Sequence, residues 1–186
     1  MPDTGAPWNI PYVASTDLVS DWPADSLALA NAIDAGLDAA GNAGIGSNVV
    51  QATKGDSYST TNTAYQDVTG LSVSITPTSA TSKVLVITSV NVSNSGAGTS
   101  SYVAVARNGT RIGLDTNGNQ SWQNVGVDTD AQFNYTHVFL DSPASASAVT
   151  YQVQLKAESG STARINERGV GLAYTFSSIT VIEVAE

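Results

Sequence analysis

Eight segments after residue 47 are rich in Val, Ile, Thr and Tyr and are separated by Gly, Asn, Ser and Pro. These residue types favour strands, and nothing between the segments has the three-to-four-residue apolar period of a helix. Several segments alternate strictly, as strands with one buried face do. We therefore predict a mainly β fold, an antiparallel sandwich of jelly-roll type. The segments cover residues 48–54, 64–77, 83–93, 101–113, 131–141, 149–159, 163–166 and 177–184.

The clearest turn signal is RNGTRIG, residues 107–113. Asn108 and Gly109 tolerate the positive φ angles that a type I′ turn requires, so the flanking residues are predicted to pair as a tight hairpin. The segment at residues 83–92 is nearly continuously apolar on one side. That pattern is typical of a central strand.

The first 22 residues contain three prolines, which disfavour helix at the residues before them. An extended segment is therefore predicted. It also contains Trp8, Ile10 and Tyr12, which a disordered tail rarely keeps. We expect the segment to become ordered by docking on another protein, with a frayed tail as the alternative.

Residues 23–40 are predicted to form a helix, with Pro23 in its first turn and a Gly-rich hinge after it at residues 41–48. Because an isolated helix of this length is marginal in water, it is expected to pack against copies of itself or against the β-domain. The chain thus divides into residues 1–22, 23–47 and 48–186. The apolar stripe of the helix is narrow, and its large members are Leu29, Ile33 and Leu37.

The composition excludes several classes of function. Seven Lys and Arg against sixteen Asp and Glu give a formal net charge of -9, whereas nucleic-acid binding needs clustered basic residues. No secretory signal or apolar run of roughly 20 residues occurs, so membrane insertion is not expected. The chain has no cysteine for a disulfide or a Cys-based metal site.

Residues that carry out catalysis are sparse. The one histidine, His137, lies among alternating residues and is interpreted as a strand residue with an ordinary hydrogen bond, since a general base needs a positioned carboxylate. No G-x-S-x-G motif occurs, and no spacing singles out a pair of glycosidase carboxylates. We expect neither an enzyme nor a cofactor.

The loop LDTNGNQSWQNVGVDTD begins with alternating oxygen ligands at Asp115, Asn117 and Asn119, but its glycine and its twelfth position do not fit a calcium loop, so no metal site is predicted. Trp122 lies near the amides of Asn119 and Gln123. An exposed ring beside amides suits a sugar-binding surface, because the ring stacks on the sugar and the amides bind its hydroxyls. The alternative is a buried Trp122 or a subunit contact.

A second candidate is the Gly-containing connection before the last strand, which contains Glu167, Arg168 and Tyr174. Loops on a rigid scaffold often carry binding residues, so these three are candidates for receptor contact. They could equally pack across a neighbouring subunit.

The stretch APWNIPYVASTDLVSDWPADSLALANAID resembles the N-terminal attachment segments of virion fibre proteins of tailed phages. DVTGLSVSITP, SKVLV, LDSP and VTYQVQ together are similar to the C-terminal knob of phage tail fibres. The resemblance implies a homotrimeric virion appendage with no catalytic residues, whose knob binds a glycan or protein of the host surface. It further implies that Trp8, Ile10 and Tyr12 bind other virion proteins and that the helical stripe forms a trimeric neck.

Two alternatives remain open at the level of the sequence. One is a head or collar decoration fibre that binds no specific receptor. The other is a free carbohydrate-binding module or a small carbohydrate-active enzyme, which would be a monomer with a cleft.

Overall fold

The computed structural model of the chain describes residues 22–42, 45–114, 131–169 and 175–184. The chain divides into two compact units, Met1–Ser47 and Asn48–Glu186. One helix, α1 at Trp22–Asn42, precedes the strands. The strands are β1 Ile45–Lys54, β2 Tyr58–Thr60, β3 Gln66–Ile75, β4 Lys83–Asn94, β5 Ser101–Arg107, β6 Thr110–Arg111, β7 Gln132–Asp141, β8 Val149–Ala157, β9 Ala163–Ile165 and β10 Ser177–Val184.

The predicted helix is confirmed. Most of the hinge expected at residues 41–48 instead belongs to the helix and to the first strand. Helix α1 continues through Asn42, and β1 already begins at Ile45. Glycine weakens a helix without necessarily ending it, and a β-branched residue favours the strand that follows. The predicted extended segment at residues 1–22 lies outside the described residues, apart from Trp22 at the start of α1.

The ten strands form two antiparallel sheets, which confirms the predicted sandwich. The six-stranded sheet has the order β1-β10-β4-β9-β2, with β7 pairing the other edge of β4, and the four-stranded sheet has the order β3-β8-β5-β6. The pairings are nested: β5 with β6, β4 with β7, β3 with β8, and β1 with β10. This nesting is the jelly-roll arrangement. The short strand β2 was not predicted, because three residues are too few to show alternation.

The predicted hairpin turn is confirmed at the centre of this nesting. Asn108 has a φ of 48° and Gly109 a φ of 81°, both positive as a type I′ turn requires. The turn is also tied to β8, because Asn108 N–H donates to the carbonyl of Thr150 at 2.8 Å. In return, the Thr150 N–H donates to the Asn108 side-chain oxygen at 2.9 Å.

The core lies between the two sheets and is built from alternate residues of each strand. Strand β4 is paired along both edges, so the prediction of a central strand is confirmed. Every second side chain of β4 is buried and faces the core. The inward side chains of β8 and β10 also contribute to the core. Fully buried members include Val84, Val86, Val90, Val92, Tyr151, Val153, Leu155, Ile179 and Val181.

One acidic side chain is buried at the end of the larger sheet. Glu183 on β10 is fully buried, and its carboxylate accepts hydrogen bonds from the N–H and hydroxyl of Thr78, at 2.7 and 2.6 Å. Asn48 Nδ2 donates to its other oxygen at 3.1 Å. Burial opposes the charged form, but these donors outweigh it and hold the pKa of Glu183 below its ordinary value of 4.5.

A polar cluster joins the two sheets. Arg107 on β5 donates from one guanidinium nitrogen to both oxygens of Asp141 on β7, at 2.8 Å each. The hydroxyl of Tyr151 on β8 donates to the same carboxylate at 2.7 Å. Burial and this hydrogen bond raise the pKa of Tyr151, so the hydroxyl keeps its proton. Because Asp141 comes from one sheet and its two donors from the other, the cluster fixes β7 against the four-stranded sheet.

We expect Asp141→Ala to lower the free energy of unfolding by roughly 2 to 4 kcal/mol, because it removes the carboxylate that pairs with Arg107 and leaves the Tyr151 hydroxyl without its acceptor. Tyr151→Phe, which removes one donor, is expected to cost about 1 to 2 kcal/mol. Urea denaturation checks both. The matched control is Asp67→Ala, an exposed carboxylate with one exposed hydrogen bond, which is expected to change stability by less than about 0.5 kcal/mol. A loss for Asp141→Ala no larger than for the control would contradict the assignment.

Candidate functional site

The candidate site is built at a break in one edge of the larger sheet. Strands β9 and β10 pair one after the other with the same edge of β4, β9 opposite Val92–Asn94 and β10 opposite Lys83–Ser89. Asn91 on β4 faces this break. Its carbonyl accepts from the N–H of Asn166 at 2.9 Å, and its N–H donates to the hydroxyl oxygen of Ser177 at 2.9 Å. The backbone groups of Asn91 are therefore paired even where the strand edge is interrupted.

Asn166 directly follows β9 and is the centre of a buried hydrogen-bond network. It is fully buried and has a φ of 58°, a left-handed conformation that Asn adopts more readily than most residues. Its Nδ2 donates to the carbonyls of Lys54 at 2.7 Å and Asp56 at 3.2 Å. Its Oδ1 accepts from the hydroxyl of Ser177 at 2.7 Å. The Asn166 side chain therefore links the end of β9 to the start of β10.

Phe176, the residue before β10, is exposed at the surface. Asn91 Nδ2 donates to the carbonyl of Phe176 at 2.6 Å, and Gln132 Nε2 donates to the hydroxyl oxygen of Thr175 at 3.0 Å. These bonds hold the backbone before β10 against the outer face of the sheet. The ring of Phe176 remains 67% exposed.

Amides and hydroxyls of β4 and β7 lie beside this ring. Asn134 Nδ2 donates to the hydroxyl oxygen of Ser89 at 3.0 Å and lies 3.4 Å from the side-chain oxygen of Asn91. The hydroxyl of Thr136 donates to Asn134 Oδ1 at 3.1 Å. This network fixes the orientation of the amides.

Some of these residues line an open cleft of about 360 Å³ on the sheet surface. Among the residues that the structure describes, its lining combines an exposed aromatic ring with amides and hydroxyls and includes no charged side chain. The ring offers an apolar surface for C–H groups, and the amides offer donors and acceptors for hydroxyls. That combination suits an uncharged sugar. The lining residues are Ser89, Asn91, Asn134, Thr175 and Phe176.

A second aromatic cluster lies on the four-stranded sheet, but its rings are already engaged. The Arg111 guanidinium lies 4.6 Å and the Lys156 ammonium 4.9 Å from the centre of the Tyr65 ring. The same ammonium lies 4.4 Å from the Tyr102 ring. These cation–π contacts stabilise the sheet surface and compete with a sugar for the rings. The cleft at Phe176 is therefore the better candidate.

The receptor candidates from the sequence lie partly outside the structure's described residues, where Trp122, Asn119, Gln123 and Tyr174 are all found. Of the two that are described, Glu167 is only 8% exposed, and its backbone carbonyl accepts from the hydroxyl of Ser93. Arg168 is exposed. Neither side chain lines the cleft.

The N-terminal candidates Trp8, Ile10 and Tyr12 also fall outside the described residues. On α1, Leu29 is half-buried, whereas Ile33 and Leu37 are 45% and 64% exposed. Two of the three large side chains in the predicted apolar stripe are therefore exposed.

His137 is a strand residue on β7, as predicted. The expected hydrogen bond is absent at its Nε2, which is buried without a partner among the described residues. Burial lowers the pKa of His137, because the charged imidazolium is disfavoured away from water. Within the described ranges, no three His, Cys, Asp or Glu side chains come together as a metal site would need, and no helix is long and apolar enough to cross a membrane.

No sequence pattern singled out Asn91, Asn134 or Phe176 as site residues. Part of the signal was available, because the outward residues of β4 change from aliphatic to polar along the strand. Which other strand would lie beside that polar stretch could not be read from the sequence, since residues 95–131 separate β4 from β7.

The sequence matches no family model and no curated protein. Among solved structures, the chain is distantly similar to the VP2 subviral particle of infectious bursal disease virus, with a TM-score of 0.38 and 12% identity over 74% of this chain and 37% of that one. A mutant VP2 in derived particles gives a TM-score of 0.38 and 11% identity, over 74% and 36% of the two chains. The virus of the Gx strain gives 0.34 and 13%, over 74% and 38%. The aligned part is thus less than two fifths of those proteins, and no function follows from similarity at this level.

We expect Asn166→Gly to lower the free energy of unfolding by roughly 1 to 3 kcal/mol, because it removes three hydrogen bonds, two of them buried, but keeps the backbone conformation. Asn166→Ala is expected to cost about 1 kcal/mol more, since alanine is strained at a positive φ. Urea denaturation of the two variants separates the effects. If both variants were as stable as the parent chain, the hydrogen bonds of Asn166 would not stabilise this part of the sheet.

Proposed function

We propose that this chain is a fibre or spike subunit of a virion and that its β-sandwich binds an uncharged glycan of the host surface. The observation that carries the binding role is the cleft at Phe176, where an exposed ring stands beside two amides and two hydroxyls. Such a lining recognises sugar rings and their hydroxyls without using charge. The chain carries a net charge of -9, which disfavours binding to acidic polysaccharides and suits an uncharged ligand.

The resemblance of the sequence to fibre proteins of tailed phages supports the virion setting. In this proposal Trp8, Ile10 and Tyr12 dock on other virion proteins. The exposed residues Ile33 and Leu37 of α1 are covered by the same residues of other copies in a helical neck, because a helix with a narrow apolar stripe gains stability by packing.

The mechanism is multivalent binding. An open cleft on a sheet surface covers only part of a ligand, so each site is expected to bind weakly. Linked copies on one fibre raise the overall affinity without any new contact, because the second binding event becomes intramolecular. A repetitive surface polysaccharide offers the matching array of sites.

We expect Phe176→Ala and Asn134→Ala each to weaken binding to host envelope polysaccharide on the order of tenfold, or about 1.4 kcal/mol. The measurement is equilibrium binding of the purified protein to immobilised polysaccharide and to arrayed glycans. The matched control is Phe133→Ala, which removes an aromatic ring that is 40% exposed on the opposite side of β7.

Binding that is unchanged in both cleft variants would show that the glycan is held elsewhere. A wild-type protein that binds neither envelopes nor arrayed glycans would instead favour a decoration fibre without a receptor.

Placement in a virion has its own test. Replacing Trp8, Ile10 and Tyr12 together by Ala is expected to abolish incorporation into particles, because the apolar docking surface is lost, while the unfolding midpoint of the sandwich stays unchanged. Immunoblots of purified particles produced with the variant as the sole copy measure incorporation. Normal incorporation of the triple variant would refute docking through this segment.

A further inference from the structure

His137 faces the interior of the sandwich from the middle of β7. Its neighbours along the strand, Thr136 and Val138, are exposed, whereas Tyr135 and Phe139 are partly buried and pack against the core. Since alternate residues of a strand lie on the same face, the imidazole shares the inner face of β7 with these two rings. It is the one histidine of the chain, so any histidine titration of the protein reports on this position.

The residues paired with His137 give the imidazole no charged neighbour. His137 is opposite Thr88 on β4, which is 1% exposed, and Thr88 is opposite the fully buried Ile179 on β10. Within the part of the chain that the structure describes, the buried Nε2 has no hydrogen-bond partner. Both ring nitrogens are donors in a protonated imidazole, so protonation would leave a charged N–H group buried without an acceptor.

Three charged side chains point inward on β4, β5, β7, β8 and β10, and each is already engaged. Asp141 on β7 is paired with Arg107 on β5. Glu183 on β10 accepts two hydrogen bonds from Thr78. Arg107 has the same sign as a protonated imidazole, and the two carboxylates are committed to other donors. The inward charges of these strands therefore do not compensate a positive charge on His137.

Burial drives the titratable groups of this interior towards their neutral forms. It raises the pKa of Tyr135 and of Tyr151, so both hydroxyls keep their protons. It lowers the pKa of His137 from its ordinary value of 6.5, because the imidazolium is disfavoured away from water. Above 6.5 the imidazole is neutral in the folded and the unfolded chain alike. As the pH falls below that value the unfolded chain binds more protons, so stability is lost until the pKa of the folded chain is reached.

Strand β7 is a part of the sandwich that can loosen by itself. It pairs with β4 from Gln132 to Asp141, and among the described strands none pairs with its other edge. Segments with few partners are the ones that open locally at low free energy. The outer face of the same strand carries Asn134, which lines the cleft beside Phe176. Loosening of β7 would therefore displace one side of the cleft.

We propose that His137 makes the attachment of β7 acid-sensitive: in mildly acidic solution, protonation of the imidazole loosens this strand from the sandwich and releases the Asn134 side of the cleft, whereas at neutral pH the strand is held. Histidine suits this role, because it is the side chain whose charge changes nearest to neutral pH. The effect on the strand stands apart from the proposed function, and only its consequence for ligand binding rests on that function.

The first test compares urea unfolding of the full chain and of His137→Gln at about pH 7 and about pH 5. Glutamine keeps a polar side chain at the site but gains no proton. On acidification the folding constant of the wild type is expected to fall by a factor at least about threefold larger than that of the variant, because only the wild type binds the extra proton on unfolding. Equal losses in the two proteins would overturn the inference.

A matched control places the imidazole on the outer face of the same strand. His137→Gln combined with Val138→His moves the histidine by one position, to a site that is 60% exposed. This variant is expected to respond to acid as His137→Gln does, since an imidazole in water becomes charged without a burial penalty. An acid loss as large as that of the wild type would show that burial is not the cause.

Two measurements on the wild type guard against a variant that fails to fold. The NMR titration midpoint of the His137 ring is expected to be lower in the folded chain than in the same chain unfolded in urea, and an equal or higher midpoint contradicts the inference. Hydrogen-exchange protection of β7 is expected to fall between about pH 7 and about pH 5, while β8 keeps its protection. A uniform loss across both strands would show that β7 is not the acid-sensitive element.

Ligand binding separates this inference from the proposed function. If both hold, the wild type loses affinity for oligosaccharides released from the host envelope at about pH 5, and His137→Gln keeps it. A wild type that binds no glycan at either pH refutes the proposed function, and the unfolding and exchange results then decide the inference alone. Binding that persists while β7 loses its protection would overturn the coupling between the strand and the cleft.

Discussion

The pairings of the sandwich are nested around one two-residue turn. Outwards from Asn108 and Gly109, whose φ angles are positive, β5 pairs with β6, β4 with β7, β3 with β8 and β1 with β10. Each pair joins segments farther apart in sequence than the last, so closing an outer pair alone would cost more chain entropy than closing an inner one. The hydrogen bonds of Asn108 with Thr150 tie this turn to β8, the neighbouring strand.

This nesting decides what lies on the outer face of the larger sheet. It puts β7 and β10 on either side of β4, so outward residues from distant parts of the chain form common rows. Leu85 meets Leu140 and Ile182 at one end, and Asn91 lies near Asn134 at the other. The outer face of the larger sheet thereby has an aliphatic end and a polar end.

Backbone hydrogen bonding explains why the cleft lies where it does. Between the stretches of β4 that pair with β10 and β9, the backbone of Asn91 has to be paired, and Asn166 and Ser177 supply its partners. The residue just before Ser177 is Phe176, whose ring is consequently held at the surface beside Asn91. The residues that complete the backbone hydrogen bonds of β4 thus also position the candidate cleft.

The sequence by itself determined the elements, because alternation, turn residues and helix signals act over short distances: α1, the central strand β4 and the turn at Asn108 were all predicted. It could not determine which strands become neighbours across tens of residues, since that depends on the packing of the whole core. The cleft of Asn91, Asn134 and Phe176 joins three distant segments, so only the tertiary structure could bring it together.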